Sequence, residues 1–166
     1  SKPRENKPCI LGLATGSSPK TVYAQLIKMH REEGLSFKNV ISFNLDEYYP
    51  MQPDSIHSYV RFMREQLFDH VDIPAENYFI PDGTIPPAMI ADFAHRYDNK
   101  MNTMGGMDFQ LLGIGGNGHI GFNEPTGSLR SRTWIKILSE QTLRDNSAVF
   151  GSFEAMPKHA ITMGIG

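Results

Sequence analysis

The chain has 166 residues, 40% of them hydrophobic, and a formal net charge of −2, enough apolar material for one core and one domain, residues 1–166. Lys and Arg are scattered with no basic stripe for a nucleic-acid backbone, and no apolar run approaches the length of a membrane span or a signal-peptide core, so the chain reads as soluble and cytoplasmic with no nucleic-acid or membrane partner. A single cysteine, Cys9, excludes an internal disulfide and is expected to be a buried thiol.

Residues 1–7 run almost at once into Pro8–Leu13, an apolar stretch that reads as a strand buried on both faces. Thr15-Gly16-Ser17-Ser18 closes it, and a helix is expected with Ser18 as cap, Pro19 in the first turn and Val22, Leu26 and Met29 inward. Asn39–Leu45 is the second strand, ending in Asp46-Glu47. A helix from Ser55 to about His70, with Tyr59, Met63 and Leu67 or Phe62 inward, leads to a short strand at Tyr78–Ile80. Ile90, Phe93, Tyr97 and Met101 mark another helix that stops at Gly105-Gly106. Met107–Gly113 is a third strong strand. Beyond Phe122–Gly127, which is turn chemistry, come a strand at Thr133–Leu138, a helix from Ser139 to about Ser147 and a strand at His159–Met163. Strands alternating with helices imply an α/β fold, an open, mostly parallel wound sheet with helices on both faces. Both ends read as cut, as if the chain were part of a longer one.

Three polar turns, ATGSSP, NLDEYY and GIGGNGH, each begin where a predicted parallel strand ends, and such sheets bind ligands outside the carboxyl ends of their strands. Thr15-Gly16-Ser17-Ser18 precedes a helix start, where free N–H groups and hydroxyls suit a phosphate; an ordinary capped turn fits the same residues. Asp46 and Glu47 are strand neighbours that point to opposite faces, so one of them at most enters the crevice, where a half-buried carboxylate could take a proton from carbon. His119 follows the glycine turn, with Asn117 and Glu124 placed to hold its ring in one tautomer; the alternative is a core histidine satisfied by backbone. The spacing Gly113-x-Gly115-x-x-Gly118 also occurs in dinucleotide sites, but a helix opening within the glycines and an acid about 20 residues on are both missing. No His, Cys or carboxylate group has metal-ligand spacing, and Trp134 reads as packing or interface.

Taken together, LGLATGSSP, SFKNVISFNLDEYY, FDHVDIPAEN, LGIGGNGHIGFNEP, SRT and AITMGIG resemble the glucosamine-6-phosphate deaminases of the isomerase type, over essentially the whole chain. The resemblance implies a Rossmann-like fold shared with sugar-phosphate lactonases and with sugar-responsive regulatory domains; GFNEP after the histidine favours the deaminases. It implies that Asp46 moves the proton between C2 and C1, that His119 opens the sugar ring, that Glu124 supports His119 and that the turn of Thr15, Gly16, Ser17 and Ser18 holds the 6-phosphate, with Gly115 and Gly118 beside the substrate. It further implies conversion of glucosamine 6-phosphate and water to fructose 6-phosphate and ammonia without metal or cofactor, in a protein that could be a homo-oligomer. The chain departs from the family in three places. Asn117 stands where many members have Asp, Ala148 where some have a phosphate-binding Arg, and Trp134 where allosterically regulated members have an Arg.

Overall fold

Alternate residues of the first strand serve two of the three apolar clusters found among the described residues. The computed structural model describes residues 7–125 and 127–166; residues 1–6 and Thr126, inside the expected Phe122–Gly127 turn, lie outside that description. On strand β1 (Cys9–Leu13), Ile10 joins Phe43, Tyr97 and Met101 on one face. Leu13 joins Tyr23, Met63, Leu67 and Phe68 on the other, with Leu11 packed against them. The period of two that separates these sets is the strand's own.

Helix α1 (Lys20–Glu33) and strand β2 (Val40–Asn44) follow, then β3 (Asp46–Tyr49), α2 (Tyr59–Gln66) and β4 (Tyr78–Phe79). Next come α3 (Ile90–Thr103), β5 (Phe109–Gln110), β6 (Trp134–Ile137), α4 (Glu140–Phe150) and β7 (His159–Thr162). The first sheet has the order β4-β2-β1-β5 and is parallel throughout. Helix α3 covers one face and α1 with α2 the other, so the expected wound α/β fold is present. Leu13 pairs with Asn44 and Gly12 with Gln110, so the segments that leave β1, β2 and β5 emerge at one edge.

Other expectations are corrected. Asp46-Glu47 opens a separate strand rather than closing β2, and β3, β7 and β6 form a second, antiparallel sheet. Leu45 joins the two sheets: its N–H donates to Leu13 O and its carbonyl accepts from Met163 N. The excursion through α4 returns the chain to the end of β6 it left, where Leu138 N donates to Lys158 O, and β7 must then run backwards. Helix α1 starts at Lys20 after Pro19, with no side-chain cap from Ser18. Its inward face is Tyr23, Leu26 and Ile27, leaving Val22 exposed, because the Tyr23 hydroxyl donates to Ala14 O and pins that side of the helix to the strand. Helix α2 starts only at Tyr59, where the Ser58 side chain accepts from Arg61 N. Cys9 is exposed at the open end of β1, since only the later residues of that strand are covered on both faces.

Candidate active site

The carboxyl edge of the parallel sheet opens into a cleft of about 370 Å³ to which all three polar turns contribute. Thr15, Gly16, Ser17 and Ser18 form one wall and continue through Pro19 to Val22 in the first turn of α1. No side chain caps that helix, and although the Lys20 N–H already donates to Ser17 O at 3.3 Å, the helix dipole favours an anion at this end. No lysine or arginine is among the described residues that line the cleft.

Asp46 forms the floor at 6% exposure. Among the described residues nothing donates a hydrogen bond to its carboxylate, and burial pushes its pKa up from 3.8 to about 7. A carboxyl in that range exists in both protonation states near neutrality, as a general base requires. Gly121, with φ of 56°, keeps the space above it open: a Cβ at that position would lie 3.3 Å from Asp46 Oδ2 and 2.9 Å from Thr162 Oγ1.

Glu47, one residue on, points the other way, as the pleat demands. It is buried at 1% exposure and borders a second, separate cavity of about 280 Å³. Its Oε1 accepts from Tyr48 N at 2.9 Å, and its Oε2 from Tyr59 N at 2.8 Å and Val60 N at 3.2 Å. Burial pushes its carboxyl up to about 8, against the pull of those three donors. Of the two acids, only Asp46 enters the cleft.

His119 lines the cleft opposite, half-buried rather than in the core. Its Nδ1 lies 2.6 Å from Asn117 Oδ1, and its backbone N–H donates to the same oxygen at 3.2 Å. Asn117 Nδ2 donates to Glu124 Oε2 at 2.9 Å, and Thr142 Oγ1 on α4 donates to Glu124 Oε1 at 3.2 Å. The carboxylate turns the amide nitrogen toward itself and the amide oxygen toward the imidazole. Nδ1 must then carry the proton, and Nε2 is left with its lone pair. Glu124 therefore bears on His119 through Asn117 rather than directly, and neither Asn117 nor Glu124 lines the cleft.

The two glycines expected at the substrate separate. Gly115 lines the cleft as the seat of the imidazole, since a Cβ there would lie 2.0 Å from His119 Cε1. Gly118 does not line it; with φ of 86° it donates to Gly115 O at 2.8 Å and makes the turn. No helix begins between Gly113 and Gly118, so the dinucleotide arrangement is not formed here. Among the described residues no cluster of three His, Cys, Asp or Glu side chains could hold a metal ion.

Sequence reasoning missed three contributors to the cleft. Tyr59, expected in the core, lines it from the first residue of α2, its hydroxyl facing the Thr15 and Tyr48 side chains. Its place directly after a capping serine was the available signal. Asn146 lines the cleft from α4, four residues after Thr142 and so on the same helix face. Gly121 carried no signal beyond its neighbourhood. Trp134 belongs to the support, its Nε1 donating to Asn123 Oδ1 at 3.1 Å while Asn123 Nδ2 donates to Ile120 O and Met163 O.

Comparison with known proteins bears on the family and the fold. The profile of the glucosamine-6-phosphate isomerases/6-phosphogluconolactonase family matches residues 2–129. A glucosamine-6-phosphate deaminase of Hahella chejuensis is 51% identical over 98% of this chain and 61% of its own length. One of Bacillus velezensis is 45% identical over 98% of this chain and 67% of its own. The chain thus spans about three fifths to two thirds of these relatives. A solved structure described as a monomeric glucosamine-6-phosphate deaminase superposes with a TM-score of 0.92 at 44% identity, over 98% of this chain and 66% of that one. A 6-phosphogluconolactonase from Thermotoga maritima, at 21% identity and a TM-score of 0.69 over 96% of this chain and 65% of that one, shares the fold. The sequence profile, the two relatives and the superposition converge, and the chain belongs to the glucosamine-6-phosphate isomerases/6-phosphogluconolactonase family.

Proposed function

We propose that this cleft deaminates and isomerises glucosamine 6-phosphate, giving fructose 6-phosphate and ammonia with consumption of one water. The observation that carries the reading is the meeting of an unbonded, burial-raised Asp46 and a tautomer-locked His119 in one cleft beneath an uncapped helix end. The 6-phosphate sits on the Thr15–Ser18 turn and the amino end of α1, which fixes the sugar by one end. His119 Nε2 takes the proton from the C1 hydroxyl and returns it to the ring oxygen, opening the pyranose. Asp46 then removes the C2 proton while a proton of the C2 ammonium passes to the C1 oxygen, forming a neutral enolamine, and Asp46 returns its proton to C1. The C2 iminium that results adds water and expels ammonia, leaving the ketone. Each assisted proton transfer of this kind contributes about 10²–10⁴-fold.

The relatives named as deaminases support this reading; the lactonase likeness carries the fold alone. In net terms the C–N bond is cleaved by water, the hydrolytic sense of the reaction. Among the described residues no helix is long and apolar enough to cross a membrane; the reaction itself is the reason for a cytoplasmic setting. The test is incubation of the full-length protein with glucosamine 6-phosphate, following ammonia and fructose 6-phosphate, with 6-phosphogluconolactone in parallel. Ammonia release is the expected result; opening of the lactone without ammonia would overturn it.

A further inference from the structure

Glu47 is absorbed by none of the chemistry above. It is nonetheless among the most buried ionisable groups described, and it accepts three backbone hydrogen bonds. Two of these come from Tyr59 and Val60, the first two residues of α2. Ser58, the capping residue of that helix, reaches only the N–H of Arg61, so a side chain from a different element satisfies the remaining donors. The floor of the cleft and Tyr59 are both tied to this carboxyl group. On its own strand the preceding residue is Asp46, and the helix it holds presents Tyr59 to the cleft as its first residue. Tyr59 in turn faces the Thr15 side chain of the anion-binding turn and packs on Tyr48 in a tilted ring contact with centroids 4.9 Å apart.

We propose that Glu47 is a positioning residue of the reaction: the oxygens of its carboxyl group clamp the amino end of α2 to strand β3 and thereby fix the spacing between Asp46, Tyr59 and the Thr15–Ser18 turn. The proposal rests on the deaminase reading for its kinetic consequence but not for its structural one. Loosening the clamp lets Tyr59 and the phosphate wall drift relative to the base. A misplacement of about 1 Å can lower turnover on the order of 10²-fold, while the phosphate turn itself, and so ground-state binding, stays nearly intact.

The experiment uses the full-length protein and compares Glu47→Ala, Glu47→Gln and Glu47→Asp by steady-state kinetics with glucosamine 6-phosphate and by hydrogen exchange at the Tyr59 and Val60 amides. Glu47→Ala is expected to lower kcat roughly 30-fold with KM within about threefold, and to speed exchange at both amides at least about tenfold. Glu47→Gln, which keeps the length and one acceptor oxygen, recovers most of the lost kcat. Glu47→Asp, one methylene short of the helix, recovers less than Gln; if the Ala variant fails to fold, this ordering carries the test. Amides as protected in Glu47→Ala as in the wild type, or a kcat for Gln no better than for Asp, would overturn the clamp. A wild-type protein that released no ammonia would instead remove the reading of the reaction, and the exchange measurement, which needs no turnover, would still decide the clamp.

Discussion

Asp46 shows how a working group can weaken the molecule that carries it. Its pKa rises from 3.8 to about 7 through burial, so the folded protein keeps this proton at pH values where the unfolded chain has released it. Stability from this group is therefore fully present below about pH 4, declines as pH rises and is lost above about pH 7. At 1.36 kcal/mol per pH unit the difference amounts to at most about 4 kcal/mol. Asp46→Asn should accordingly be more stable than the wild type to urea at pH 8, by about 2–4 kcal/mol, and close to it at pH 4, while releasing no ammonia and still binding the sugar phosphate. The wild-type kcat should climb with pH through an acid limb near 7, since only the ionised carboxylate accepts the proton. On the opposite wall the tautomer of His119 depends on an amide it touches at 2.6 Å. Asn117→Leu is expected to lower kcat about 10²-fold on the closed-ring substrate, with the effect seen as loss of the downfield Nδ1 proton signal in NMR spectra. Gly115→Ala should act on the same ring by displacement, because the added methyl would occupy its place.

At the scale of elements, two serines illustrate what sequence can and cannot say. Ser18 and Ser58 both stand just before a helix, yet only Ser58 caps one, while α1 begins without a side-chain cap. Ser58→Ala should cost about 1 kcal/mol of folding stability. Ser18→Ala should stay within about 0.5 kcal/mol and raise KM for the sugar phosphate, a pair of outcomes read by urea unfolding and kinetics. Capping propensity is the same in both places; the difference lies in Tyr23, whose hydroxyl reaches back to Ala14 O and sets where α1 can start. The strands show a similar limit. Apolar runs located β1, β2, β6 and β7, because burial leaves a local pattern. Direction and partner leave none, and the antiparallel sheet of β3, β7 and β6 was invisible until Leu138 could be seen beside Lys158. Asp46-Glu47 read as the end of β2 rather than as the start of a new strand, because the sheet that β3 joins is built from residues more than 80 positions further on.

In the whole molecule, the edge at which chemistry gathers was legible, since three polar turns after three parallel strands could open only on one side. Asp46, His119 and the Thr15–Ser18 turn were named on that ground and share one cleft. What the sequence withheld was the second layer of support, which comes from remote segments: Thr142 behind Glu124, Gly121 over Asp46, Glu47 beneath α2. The pairing of Asp46 with Thr162 and of Glu47 with Ile161 decides which acid meets solvent and which meets a helix. Exchanging the two side chains, Asp46→Glu with Glu47→Asp, would preserve charge, atom count and overall polarity. It would nonetheless thrust a longer acid toward Gly121 and leave a shorter one out of reach of its amides, so an isomeric protein of identical composition should be inert.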